Sequence, residues 1–276
     1  MRCDEKSKTP ERPSLVMVHN PKSNSSYEPF EIRDQFNIVK DNKTGEFYKQ
    51  KGYEESYREM YIRVMEDHPG LDTNEDGRPL VKSDGDFVYI RFHEGARDMF
   101  HQFEIGQITL DQLLFMFSIV CHIHKNGFIH SDLKLENFII FKDEEQKDVI
   151  KLIDFEGCQF CSGEINQLLL VTEGYIAPEV LYKKKSFNGF KTDVYSMGII
   201  LYICIATPMY QFNSPEEFYT YLEDFKNSDA KCNTIYSADV INKLLELIQN
   251  MTLCDPQKRY TMDTAYQELN KIITMM

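Results

Sequence analysis

The rhythm of apolar and polar positions changes once along the chain, near residue 93. Before it, short alternating runs at residues 15–18, 27–33, 35–40, 79–82 and 87–92 predict strands, with one helical stretch at about residues 48–67. Residues 1–13 are polar, carry Pro10 and Pro13, and read as a flexible lead-in. After residue 93 the period becomes helical. Thr109 and Gln112 form a capping-box signature ahead of the solidly apolar residues 113–123, the mark of a buried central helix. Two apolar runs, 138–141 and 149–153, flank a polar stretch and predict a hairpin. A second cap, Ser214-Pro215-Glu216-Glu217, opens another helix, and Val240, Ile241, Leu244, Leu245, Ile248 and Met251 recur at helical spacing in one more. The pattern predicts an α+β protein: a small β-rich region with one main helix (14–92), then a larger, mostly helical region (93–276), without internal repeats.

Composition narrows the function. With 276 residues, 42% hydrophobic and 27% charged, the chain has a core to bury. The apolar runs 113–121 and 199–206 are too short to cross a bilayer, and the first residues lack the apolar run of a signal peptide. No membrane span is expected, and an intracellular location, cytoplasmic or nuclear, follows. A net charge of −13 repels phosphodiester backbones, so nucleic acid is not the expected partner; an acidic face would suit basic protein substrates. Nothing in the pattern specifies an oligomeric state. Seven scattered cysteines fit reduced thiols, and Cys158 and Cys161 form a C-x-x-C with no second pair to complete a zinc site.

The densest chemistry is His130-Ser131-Asp132-Leu133-Lys134-Leu135-Glu136-Asn137, between the buried helix and the hairpin. It places a carboxylate, a cation two residues on and an amide five residues on in one loop. The hairpin then returns the chain to Asp154. Asn137 and Asp154 can converge as oxygen ligands of Mg²⁺, a hard cation that takes few protein ligands and completes its shell with phosphate oxygens and water. Asp132 remains to accept a proton from an attacking hydroxyl.

These residues, with Ile153-Asp154-Phe155-Glu156-Gly157, resemble the catalytic loop and the metal-binding Asp-Phe-Gly of the eukaryotic protein kinase family. Three further strings follow in the family's order. Thr172 to Glu179 resembles the docking segment ending in Ala-Pro-Glu, Thr192 to Gly198 the central helix of the large lobe, and Asp255 to Arg259 the segment whose arginine pairs with that glutamate. The resemblance implies a bilobal kinase-like fold, ATP and Mg²⁺ as cofactors, a Glu179–Arg259 ion pair, and Asp193 holding the catalytic loop. Lys134 with Thr172 resembles the Ser/Thr branch, so the implied substrate is a protein Ser or Thr hydroxyl. By the same resemblance, Asp132 orients and deprotonates the acceptor, Lys134 offsets charge on the phosphoryl group, and Asn137 and Asp154 hold the metal. Ile38, Ile90, Ile139 and Ile153, with the backbone of Arg91 to His93, would hold adenine. The Ala-Pro-Glu segment argues against a small-molecule kinase.

In the first third, Glu59 precedes His68-Pro69 as the ion-pair glutamate does in the family's helix. Phe36-Asn37-Ile38-Val39-Lys40 resembles Val-Ala-Ile-Lys, which makes Lys40 the phosphate-contacting lysine and Ile38 the residue above adenine. The rival is Lys51, approached by Thr44-Gly45-Glu46-Phe47-Tyr48 but only eight residues from Glu59. Counting back from Lys40 puts the phosphate-covering loop at residues 19–26, which hold no glycine; in this feature alone the chain resembles kinases without a glycine loop. Other departures are Glu156 for the glycine of Asp-Phe-Gly, Arg63 in an apolar position, and Ser131 for the arginine that receives an activating phosphate. Activity independent of activation-loop phosphorylation, at Thr172 or Ser162, is the expectation. The apolar residues 168–171 read either as a packed helix or as a partner-docking strip. Two functions stand at this point: an active Ser/Thr kinase, favoured by Asp132, Asn137 and Asp154, and a pseudokinase acting as a nucleotide-binding or scaffolding module, favoured by the missing glycines.

Overall fold

The structure, a computed structural model, describes residues 27–32, 37–52, 68–71, 81–84, 87–93, 95–106, 108–206, 212–228 and 235–276. The expected strand at 15–18, the loop at 19–26, Glu59 and Arg63 lie outside these residues. The chain divides into two compact units, one holding residues up to Gly52 with Lys82–Phe92, the other Tyr53–Val81 with His93–Met276.

The first unit is built on a five-stranded antiparallel sheet of β1 (Tyr27–Ile32), β2 (Asn37–Asp41), β3 (Phe47–Gly52), β4 (Val81–Asp84) and β5 (Phe87–Arg91), in the order β1-β2-β3-β5-β4. Here the sequence expectation needs correcting. Residues 48–52, taken as the start of a helix, form β3, which pairs with β2 (Lys40 opposite Phe47) and with β5 (Lys51 opposite Val88). Tyr48 is the reason: the sheet buries it completely in one cluster with Val39 and Tyr89, a stronger determinant than local helical spacing. The turn before β3 is fixed by Asp41, whose backbone exchanges hydrogen bonds with Gly45 and Glu46, the glycine lying at φ +75°. In the chain, β1 and β2 are separated by Arg33-Asp34-Gln35-Phe36, which contains no glycine.

The second unit follows the expected pattern. Its short helix α1 (Met99–Ile105) is capped by Asp98, whose carboxylate accepts from His101 N–H at 2.7 Å. Helix α2 (Leu110–Lys125) begins with both halves of the Thr109–Gln112 capping box and buries Leu113, Met116, Phe117, Val120 and Ile123. Strand β6 (Arg97–Asp98) pairs with the hairpin of β8 (Phe138–Lys142) and β9 (Asp148–Leu152); β7 (Phe128–Ile129) pairs with β10 (Gln159–Phe160), and β11 (Glu164–Ile165) with β12 (Phe187–Asn188). After the short α3 (Pro178–Leu181) comes α4 (Gly189–Ala206), followed by α5 (Pro215–Asn227), α6 (Ala238–Met251) and α7 (Met262–Thr274). All six periodic residues read in α6 are buried. Helix α4 is the one helix among the described residues long and apolar enough to cross a membrane, yet it is almost entirely enclosed by the protein and serves as the core of the unit. Gly198 lets it approach α6 closely, since a Cβ there would stand 2.6 Å from Thr252 Cγ2.

Candidate functional site

The second unit assembles its polar centre on the apolar frame of α2, α4 and the β8–β9 hairpin. Asp193, buried in α4, accepts the backbone N–H of His130 at 2.8 Å with Oδ2 and that of Ser131 at 3.0 Å with Oδ1. His124 Nε2 lies 3.0 Å from the same Oδ2. One carboxylate therefore neutralises two buried amides and fixes the turn that follows, where Ser131 adopts φ +72°. His130 packs edge-on against Phe155, and its Nε2 donates to Ile153 O at 3.1 Å. Burial keeps this imidazole neutral, outweighing the attraction of Asp193, Asp132 and Asp154 for its proton.

This turn delivers Asp132, Lys134 and Asn137 to one place. Lys134 Nζ donates to Asp132 Oδ2 at 2.9 Å and to Thr172 Oγ1 at 2.8 Å, while Thr172 Oγ1 donates to Asp132 Oδ1 at 2.5 Å. A hydroxyl thus sits between a carboxylate that accepts its proton and an ammonium that donates to its oxygen. Sequence reasoning placed Thr172 only in the docking segment and missed this contact, because the two loops are 40 residues apart in the chain. Burial alone would raise the pKa of Asp132, but the hydrogen bonds from Thr172 and Lys134 and the lysine charge together hold it below the usual carboxylate range. The side chain is thereby ionised at neutral pH.

Asn137 donates its Nδ2 to Asp132 O at 2.7 Å, which leaves the amide oxygen, the hard donor, for a cation. Its backbone carbonyl accepts Ile153 N–H at 2.8 Å, bringing the residue before Asp154 against the catalytic loop. Asp154 adopts φ +64°, ψ +62°, a left-handed conformation that aspartate tolerates better than most residues, and leads into a single turn, Phe155–Gly157, that buries Phe155. Glu156 lies in that turn at negative φ, so the position demands no glycine. An amide oxygen and a carboxylate are hard donors of the type a Mg²⁺ takes when nucleotide phosphates supply its other ligands, and the Ile153–Asn137 backbone bond brings their two chain segments together.

A buried frame surrounds these groups. Glu179 and Arg259, both fully enclosed, form two parallel bonds of 2.7 and 3.0 Å, and Arg259 also donates to Lys191 O and Leu253 O. Ser196 Oγ donates to Tyr175 O at 2.9 Å, tying the docking segment to α4. The segment from 159 to 171 is held by β7–β10, by β11–β12 and by Gln159 Nε2 donating to Gln167 O. Residues 168–171 form no helix, and Leu169, Leu170 and Val171 are exposed. Cys158 and Cys161 are buried thiols, Cys158 pushed far above its ordinary pKa by desolvation, and no metal cluster is present among the described residues.

The remaining expected site residues are distributed as follows. Ile139 lies half-buried in β8 and Ile153 just beyond β9, both in the second unit. His93, also in that unit, stacks on Phe141 with centroids 4.3 Å apart. Ile38 is buried in β2 and Ile90 half-buried in β5 of the first unit, on either side of Lys49 in the ladder. Arg91 pairs with Glu46, which also accepts from Tyr48 OH at 2.7 Å. Lys40 lies in β2 with Nζ 5.6 Å from the Phe47 ring centre, and Lys51 in β3.

The centre thus holds a hydroxyl bridged between a carboxylate and a lysine, with an amide on the same loop. Comparison with known proteins identifies the family: the protein kinase domain profile matches residues 97–269, and the chain belongs to the protein kinase family. Its relatives include a probable serine/threonine-protein kinase of Dictyostelium discoideum, 33% identical over 154 residues, 54% of this chain and 21% of that protein. A serine/threonine-protein kinase of Caenorhabditis elegans is 34% identical over 153 residues, 54% of this chain and 17% of the relative. Calcium/calmodulin-dependent protein kinase type 1B of Rattus norvegicus is 31% identical over 152 residues, 54% of this chain and 42% of the relative. The chain thus matches less than half the length of each.

Proposed function

We propose that this chain transfers the γ-phosphoryl group of ATP, with Mg²⁺, to serine or threonine hydroxyls of protein substrates. The observation that carries this reading is the Thr172 hydroxyl, donating to Asp132 and accepting from Lys134, the arrangement an acceptor alcohol requires. Asp132, with its depressed pKa, is a weak base, so its main contribution is to orient the acceptor hydroxyl and take its proton late, as the oxygen–phosphorus bond forms. Lys134 offsets negative charge on the transferred group. Asn137 and Asp154 would hold Mg²⁺, which would supply positive charge to offset the negative charge of the nucleotide phosphates.

The nucleotide lysine is reassigned. The family's lysine stands on the third strand of the small sheet, and among the described residues the third strand is Phe47–Gly52, whereas Lys40 stands on the second. Lys51 is therefore the proposed phosphate contact.

A second reading, a pseudokinase that binds without turnover, is favoured by the glycine-free connection between β1 and β2. Incubation with γ-labelled ATP, Mg²⁺ and a basic protein mixture, followed by phosphoamino-acid analysis, separates the two. Label on serine and threonine supports the enzyme; no label above background, with a Mg²⁺-ATP-dependent rise in melting temperature, leaves the binding module.

A further inference from the structure

The loop Tyr182–Ser186 carries three consecutive lysines, Lys183, Lys184 and Lys185, all exposed. Every other described lysine of the second unit is engaged. Lys125, Lys134, Lys142, Lys147, Lys226, Lys243, Lys258 and Lys271 each face a carboxylate, and Lys151 and Lys191 donate to backbone carbonyls. The three loop lysines face no carboxylate among the described residues. The acids closest in the hydrogen-bond network are already committed: Ser186 Oγ donates to Glu164 Oε2 at 2.6 Å, and Tyr182 OH donates to Glu216 Oε1. Those two bonds pin the ends of the loop.

The loop is also tied to the rigid frame. Lys183 N–H donates to Val180 O and Lys184 N–H to Glu179 O, the residue locked to Arg259, with Lys183 at φ +51°. Leu181 and Tyr182 are exposed beside the lysines, at 39% and 56%. A pre-ordered basic spot with an apolar edge thus stands on a chain of net charge −13, directly following the segment Thr172–Glu179. Local charge complementarity selects an acidic ligand here, although the chain as a whole repels one.

We propose that Lys183, Lys184 and Lys185 form a docking surface for an acidic segment of the protein substrate, separate from the residues around the phosphorylated hydroxyl. This rests on the kinase reading, since the surface continues the chain from the substrate-facing segment. Docking at a rim of exposed charges lowers KM, leaves kcat unchanged and weakens with salt.

The test uses two peptides with the same acceptor sequence, one extended by a hexaglutamate tail, and the chain with either all three lysines or Lys183→Gln, Lys184→Gln and Lys185→Gln together. For the natural chain the tail lowers KM about tenfold at low salt, the combined effect of three exposed charge pairs. The triple variant loses that advantage and retains kcat on the untailed peptide. Equal KM for both peptides on the natural chain overturns the proposal while leaving the kinase reading intact. If neither peptide is phosphorylated, the kinase reading fails, and anisotropy of the labelled tailed peptide still decides the surface: loss of binding in the variant supports it, unchanged binding overturns it. Lysine-dependent binding to phosphatidylserine vesicles without binding to the tailed peptide assigns the loop to membranes instead. Lysine-dependent self-association in sedimentation, again without peptide binding, assigns it to a second copy of the chain; either result overturns the proposal.

Discussion

The two units place functional side chains by different physics. In the helical unit, each key group is held by a buried polar partner of defined geometry: Asp193 grips two backbone amides, Arg259 locks Glu179, and Thr172 and Lys134 fix Asp132. In the strand unit, residues are placed by ladder register, where one step of slip moves every side chain to the other face. The difference teaches why motif strings are decisive in one unit and ambiguous in the other. A buried hydrogen-bonding partner demands particular residue types, whereas a ladder demands only suitable alternation.

The sharpest break in the first kind of order is at the ion pair. Arg259→Met leaves Glu179 charged and enclosed, and denaturant unfolding is expected to show a loss of about 3–5 kcal/mol; a loss below 1 kcal/mol would mean the pair is not a structural anchor. Next is Thr172. Thr172→Ala removes a hydrogen bond to a carboxylate, about 1.5–3 kcal/mol, so kcat should fall roughly ten- to a hundredfold while Thr172→Ser retains it. The sign of the pH effect follows from Asp132. Its folded-state pKa is depressed, so its contribution is present above the ordinary carboxylate pKa and lost as pH falls through the depressed value; Thr172→Ala shifts that loss to higher pH. Thr172→Glu, placing a second carboxylate against Asp132, should inactivate rather than activate, in line with a segment held by strand pairing instead of a phosphate.

Register is tested by lysine exchange. Lys51→Met should raise the dissociation constant for Mg²⁺-ATP about tenfold, and Lys40→Met should change it less than twofold; the reverse order would restore Lys40. The smallest effect belongs to His68, whose Nδ1 accepts Gly70 N–H at 2.9 Å and whose Nε2 lies 3.2 Å from Ser118 Oγ. Burial, with His122 and Lys151 adding repulsion, lowers its pKa from 6.5 to about 4. The unfolded chain therefore takes up the proton first, and stability falls as pH drops from about 6.5 to about 4. His68→Asn, which preserves an acceptor for Gly70, should flatten that slope in pH-dependent melting curves.

Legibility in the sequence followed the same division. The Thr109 capping box, the Ser214 cap and the periodic residues of α6 were readable from spacing, and the Glu179–Arg259 pair and the Asp193 anchor from the resemblance to the kinase family. Residues 48–52 were not, since Phe47-Tyr48-Lys49-Gln50-Lys51 satisfies a strand or a helix locally, and the burial of Tyr48 against Val39 and Tyr89 decides between them. The Thr172 bridge was invisible for another reason: it joins two loops distant in sequence, and only the folded frame brings them together.

The most direct test of the catalytic centre compares the natural chain with Asp132→Asn for single-turnover phosphoryl transfer and for Mg²⁺-ATP affinity. Removing the carboxylate that takes the acceptor proton should cut the transfer rate by about 10²–10⁴-fold while affinity changes less than threefold. Equal transfer rates in the two proteins would contradict the account.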